Sequence, residues 1–273
     1  MDRMPVISIE DLAGDFDGTT EPSARATIGR LIALLTEQMP TEVDCARISR
    51  ISKYPFKAAS LEGVLGYGLL ELARDTVAIY DEGRGLSSMI ICRSAMETAA
   101  LMLQLGKRLE LAVRERKLGD IDDFLMRGLY GWNAPYSNRQ PLSVATAINH
   151  AIKAIGAYSS HYAALSDHVH PNYAGGSARF EEMDDQYLLT RFGEPKRTPW
   201  DHVLMSLILA LLLAAHAVSR IREAMPRFIE ISDRHVQRHG NMGASEGTTP
   251  AEPIEKWLPG PREEGKTGDP SDS

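Results

Sequence analysis

Arg93 and Glu97 stand four residues apart in SSMIICRSAMETAALMLQL, a stretch dominated by Met, Ile, Cys, Ala and Leu. In a helix that spacing puts both on one face, within reach of each other. Two charges in so apolar a stretch are costly unless paired and hydrogen-bonded. Two readings are open. The residues form an ion pair that locks a bundle, or they form one wall of a charged pocket between helices. In the second reading Arg93 binds an anion such as a phosphate, and Glu97 orients Arg93 or the ligand.

A second constellation lies in HYAALSDHVHPNYAGG (161–176). Tyr162, Ser166 and His170 are each four apart and share a helix face, while Tyr158, Leu165 and Val169 supply an apolar stripe. Pro171 biases the residue before it away from the helical region, so His170 falls at the last turn. There the negative end of the helix favours an imidazolium. Such a histidine suits anion binding or proton transfer near neutral pH; the alternative is a capping role. Tyr162 and Ser166 are its candidate hydrogen-bonding neighbours. Packing this helix on the one bearing Arg93 would satisfy both polar stripes, so Arg93, Glu97 and His170 are expected to meet.

No metal or cofactor motif accompanies these residues. His161, His168 and His170 are close in sequence, yet HExxH is missing, and only His235 and His239 have i,i+4 spacing. A metal site is therefore not expected. The glycine-rich pieces lack the Lys-Ser/Thr ending of a phosphate loop, and there is no GxSxG. Cys92 lies in an apolar helix and reads as inert; Cys45 has no evident base nearby.

The elements that must position these residues are helical. Apolar spacing predicts a helix after Pro22 that stops at Pro40, a short helix within 42–52, and long helices over 57–82 and 86–115. Gly63, Gly66 and Gly68 weaken the first of these or permit close packing. Further helices are expected over 121–130, 144–155 and 158–169, with a loop at WNAPYSNRQP (132–141). Residues 178–192 read as a β-hairpin around an acidic centre. A last helix runs from about 200 to 225, with a kink at Pro226 and a continuation to about 238. The fold class is all-α: a multi-helix bundle with a small inserted hairpin. The apolar run 203–218 spans 16 residues and includes His216. A bilayer span needs about 20, so it reads as a core helix and no membrane partner is expected.

Composition agrees with a globular chain: 43% hydrophobic and 25% charged residues allow a sizeable core. The formal charge of −7 belongs to the ends. Residues 1–21 hold six acids and one base, and residues 241–273 hold seven acids and three bases. The body, 22–240, is weakly positive, which neither demands nor excludes nucleic acid. The opening residues carry five acids and no apolar core of a secretory signal, so a cytoplasmic location is expected. The 241–273 segment is rich in Gly, Pro, Ser and acids and is expected to be a disordered tail.

The pairing of R-x3-E (Arg93–Glu97) with a later S-x3-H-P (Ser166–Pro171) resembles a bacterial and phage-associated helical family known only as a domain of unknown function. The resemblance covers about residues 60–225. That family is distantly similar to the HEPN helical domains, many of them metal-independent ribonucleases of toxin–antitoxin and phage-defence systems. The resemblance implies RNA or another phosphate-bearing ligand as partner, no cofactor, and a site made of Arg93, Glu97 and His170. HEPN ribonucleases typically carry Arg-x4–6-His. Arg197/His202 and Arg234/His239 fit, but roughly two such hits are expected by chance from this composition. The other reading is a non-catalytic interaction module that binds a protein partner or a second copy of itself, its polar residues forming a structural network.

Overall fold

The computed structural model describes residues 20–131, 140–169, 180–184, 189–193 and 198–240. All belong to the first of two units, Met1–Gly240 and Asn241–Ser273. The expectations for His170, for the loop at 132–139 and for both acidic ends lie outside the described residues.

Eight α-helices are found among the described residues. Helix α1 (Glu21–Gln38) starts where Thr20 accepts a hydrogen bond from the Ser23 amide, with Pro22 in the first turn. A short α2 (Cys45–Ile48) is capped by Asp44. Helix α3 (Tyr54–Asp81) is long despite its glycines. Gly66 permits a close approach: a Cβ there would sit 1.9 Å from Met39 Sδ, so the residue that caps α1 presses against α3. A tight turn through Gly83, at φ 77°, leads to α4 (Gly85–Glu115), which ends on Arg116 in the left-handed region at φ 53°. Helices α5 (Ile121–Tyr130), α6 (Val144–Ala154) and α7 (Tyr158–Val169) follow. Strands β1 (Glu181–Asp184) and β2 (Leu189–Phe192) pair antiparallel, with Glu181 opposite Phe192 and Asp184 opposite Leu189. They form the inserted hairpin expected at 178–192.

The last helix differs in detail from the sequence reading. It opens with one π-helical turn, Asp201–Met205, and continues as α8 (Ser206–His239), which runs past Pro226 without a break, as the expected continuation to about 238 requires. Proline has no amide hydrogen, so one rung of the ladder is lost there, but neighbouring turns hold the helix together.

α4 and α8 form the centre of the bundle, packed on each other. Leu103, Leu105, Leu207, Leu211, Leu213 and Phe228 are fully buried. Each such side chain stabilises the fold by about 1.5–3 kcal/mol relative to exposure. Nearly every residue from Val203 to Val218, across the π turn and the first part of α8, is buried because α1, α3, α4 and α7 surround this segment. By length and composition α4 and the segment Asp201–His239 are both apolar enough to cross a membrane. Of the most apolar window in each, 50% and 72% lie buried inside the bundle. A bundle's core helices share these properties.

Candidate functional site

Helix α4 turns Arg93 and Glu97 away from α8 and toward α7, where Tyr162 meets both. The Tyr162 hydroxyl donates to Glu97 Oε1 at 2.7 Å. Arg93 Nη2 donates to the same hydroxyl at 3.2 Å. The guanidinium lies over the phenol ring, 5.3 Å from its centroid, within range of a cation–π attraction. Arg93 Nε stands 3.2 Å from Glu97 Oε1. Its N–H is not aimed at that oxygen, so the contact is a charge pairing and leaves a buried donor uncommitted.

The trio is held in place by a buried neighbour. Tyr158, one turn before Tyr162, is fully buried and donates to the Met96 carbonyl at 2.6 Å. This bond fixes α7 against α4. Burial pushes the Tyr158 phenol well above its ordinary pKa, with the buried Cys92 adding to the shift.

The trio is not sealed in the core. The Arg93 and Glu97 side chains keep 28% and 26% of their exposure. With Val144, Ala145, Ile148 and Asn149 of α6 they line an open groove of about 540 Å³. Its walls combine an apolar side from α6 with a charged side from α4 and α7. The Tyr162 hydroxyl bond raises the Arg93 pKa; burial opposes this and the Glu97 charge supports it. Burial raises the Tyr162 pKa, Arg93 opposes it and Glu97 supports it. The phenol is therefore protonated at neutral pH and acts as a donor.

Of the sequence-derived candidates, Arg93, Glu97 and Tyr162 come together. Ser166 does not join them: its hydroxyl donates to the Tyr162 carbonyl of its own helix at 2.8 Å. A serine bonding back four residues is satisfied locally and offers little to a ligand.

His161 and His168 of α7 are joined by His202, which the sequence did not point to. His161 Nδ1 is 3.0 Å from Ser206 Oγ, and Ser206 donates to the His202 carbonyl at 2.5 Å. The His168 and His202 rings meet edge-on at 6.0 Å. His202 Nδ1 is buried without a hydrogen-bond partner. Burial lowers the His161 pKa, and the neighbouring His202 lowers it further. His202 lies in the π turn and Ser206 opens α8, and apolar periodicity carries no signal for such a turn. Among the described residues no three His, Cys, Asp or Glu side chains are arranged to hold a metal ion. Cys92 is buried, 3.4 Å from the Val203 carbonyl, and burial raises its thiol pKa, so it is a poor nucleophile.

No family model, curated protein or solved structure matches this chain.

Proposed function

We propose that this chain binds RNA or another phosphate-bearing ligand in the groove between α4, α6 and α7, as a cytoplasmic, metal-independent ribonuclease of the toxin or phage-defence type. The observation that supports this is the meeting of Arg93, Glu97 and Tyr162 on the wall of an open groove. Arg93 is the phosphate anchor, since a guanidinium presents donors in the fork that phosphate oxygens match. Glu97 and the Tyr162 hydroxyl hold that fork in place. His170, outside the described residues, is the proton-transfer group of this proposal. In RNA cleavage it takes the 2′-hydroxyl proton as the 2′ oxygen bonds to phosphorus. The 5′ oxygen then leaves, protonated by solvent, and Arg93 stabilises the charged phosphorane.

One observation favours a second reading, the interaction module. Arg93 and Glu97 already satisfy each other through Tyr162 without any ligand. In that case the groove is a by-product of helix packing.

The experiment is an RNA binding and cleavage assay in the presence of a chelator. Wild type is compared with Arg93→Ala and His170→Ala, folding being checked by circular dichroism. Chelator-resistant cleavage by wild type that both variants lose supports the ribonuclease. Equal activity in all three, or neither binding nor cleavage in wild type, overturns it and leaves the interaction module.

A further inference from the structure

Further along α4 lies a second groove, walled by α4, α6 and α8 and enclosing about 430 Å³. Lys107, Arg108 and Arg114 of α4 and Arg220 of α8 make its cationic lining. Glu110, in the same groove, is taken up by Arg220 through both carboxylate oxygens. Arg108 pairs with Asp120 at 2.6 Å. Lys107 and Lys153 have no carboxylate partner among the described residues. Lys107 Nζ instead reaches the His150 carbonyl at a long 3.5 Å.

Arg114 stands 3.9 Å from Glu115, so Lys107 and Lys153 are the cations left in excess, and the neighbouring groups register them. The Lys107 pKa is lowered by burial, then by Arg220 and Lys153, with Glu110 opposing the shift. The His150 pKa is lowered by burial, then by Lys107, Lys153 and Arg108. Like charges gathered in a partly desolvated groove cost free energy unless an anion joins them.

Two further atoms point to a ligand. Gln104, only 5% exposed, leaves Oε1 buried without a donor, and His150 Nδ1 is likewise buried and unpartnered. Both residues line the groove with the two atoms just beneath its surface, so a ligand hydroxyl reaches them after a small side-chain shift. An unmet buried acceptor costs about 1–3 kcal/mol, which a ligand hydroxyl recovers on binding.

We propose that this groove binds a sugar phosphate, its phosphate on Lys107, Arg108 and Arg114 and its hydroxyls donating to Gln104 Oε1 and His150 Nδ1. For His150 to accept there, its proton sits on Nε2. The chemistry comes from two sources: a free sugar phosphate or nucleotide, or the ribose–phosphate backbone of RNA. The groove is separate from the one bearing Arg93, and the inference does not depend on cleavage there.

The test is calorimetric titration of the full chain at low salt with ribose 5-phosphate, inorganic phosphate, ribose and a single-stranded oligoribonucleotide without terminal phosphates. The His150 ring resonances are followed in parallel. Ribose 5-phosphate is expected to bind about tenfold more tightly than inorganic phosphate and to move the His150 signals, because only it offers both charge and hydroxyls. Lys107→Gln is expected to weaken it about tenfold, and Lys153→Gln, which lies outside the lining and acts only through its charge, by less; neither breaks a native ion pair, and circular dichroism checks the fold. The His150 response is expected to persist in Arg93→Ala, which separates this site from the proposed ribonuclease groove. An oligoribonucleotide that moves the His150 signals and binds more tightly than ribose 5-phosphate assigns the RNA backbone; a weaker one assigns the free ligand. The inference is overturned if ribose 5-phosphate binds no better than ribose or inorganic phosphate, or if Lys107→Gln leaves its affinity unchanged.

Discussion

Tyr162 donates its hydroxyl proton to Glu97 across the α4–α7 seam at 2.7 Å and accepts from Arg93 at 3.2 Å, so one hydroxyl connects two charged residues of one helix to the face of another. The phenol stands between a cation and an anion, donating to one and accepting from the other. Tyr162→Phe keeps the ring and its contact with the guanidinium but removes both hydrogen bonds. The site is partly open to water, so the expected loss is about 1 kcal/mol. A shift of that size in the urea midpoint with an unchanged slope checks it.

Glu62 makes stability depend on pH. It is 7% exposed on α3, and burial raises its pKa from an ordinary 4.5 to about 7, with Arg222 opposing the shift. An acid whose folded pKa is raised binds its proton more tightly in the native state. Its contribution is fully favourable below about pH 4.5 and is lost as pH rises through about 7. Glu62→Gln is therefore expected to be more stable than wild type above pH 7, by up to about 3 kcal/mol, and equal to it near pH 4. Melting temperatures measured from pH 4 to 9 show whether the two curves diverge in that direction.

Much of the bundle was legible in the sequence because punctuation and periodicity agree. Pro22, Pro40, the Gly83–Gly85 turn and the Ser143 cap bound their helices where expected. Arg93, Glu97 and Tyr162 were also legible, since polar side chains on apolar faces must find one another. What stayed hidden depends on tertiary placement. Ser166 has the right spacing but satisfies itself within its own turn. His202 meets His168 because one π turn resets the face it occupies. Lys107 and Arg220 are 113 positions apart in the sequence, and each alone reads as a charge on a solvated face.

The seam between α4 and α7 also rests on Tyr158. Its hydroxyl is fully buried on the Met96 carbonyl. Tyr158→Phe removes one buried hydrogen bond without changing the ring, so the expected cost is about 1 kcal/mol. Tyr158→Ala leaves a cavity as well and is expected to cost about 3–5 kcal/mol. Denaturation of both variants gives the difference; near-equal losses would mean that the ring contributes nothing to the seam.

Burial of the apolar windows in α4 and α8 has a consequence for location. A window 72% covered by its own bundle presents little apolar surface to lipid. The protein, expressed without detergent, is expected in the supernatant after high-speed centrifugation. Recovery in a carbonate-resistant membrane fraction would mean that these helices meet lipid rather than one another.

The sharpest discrimination between a site and a structural lock comes from the energetics of Arg93 and Glu97. A sealed ion pair broken on one side leaves an uncompensated charge and costs about 3–5 kcal/mol. Here both side chains retain about a quarter of their exposure, and the groove lets water reach whichever charge is left. The guanidinium N–H nearest Glu97 is also misdirected, which weakens the direct contact. Arg93→Ala and Glu97→Ala are therefore each expected to cost about 1 kcal/mol. The coupling in the double-mutant cycle is expected to stay below about 1 kcal/mol. Such small losses, joined to lost RNA binding in Arg93→Ala, fit residues kept for a ligand. A coupling above about 3 kcal/mol would instead assign the pair to the architecture of the bundle and remove the main support for a phosphate anchor at Arg93.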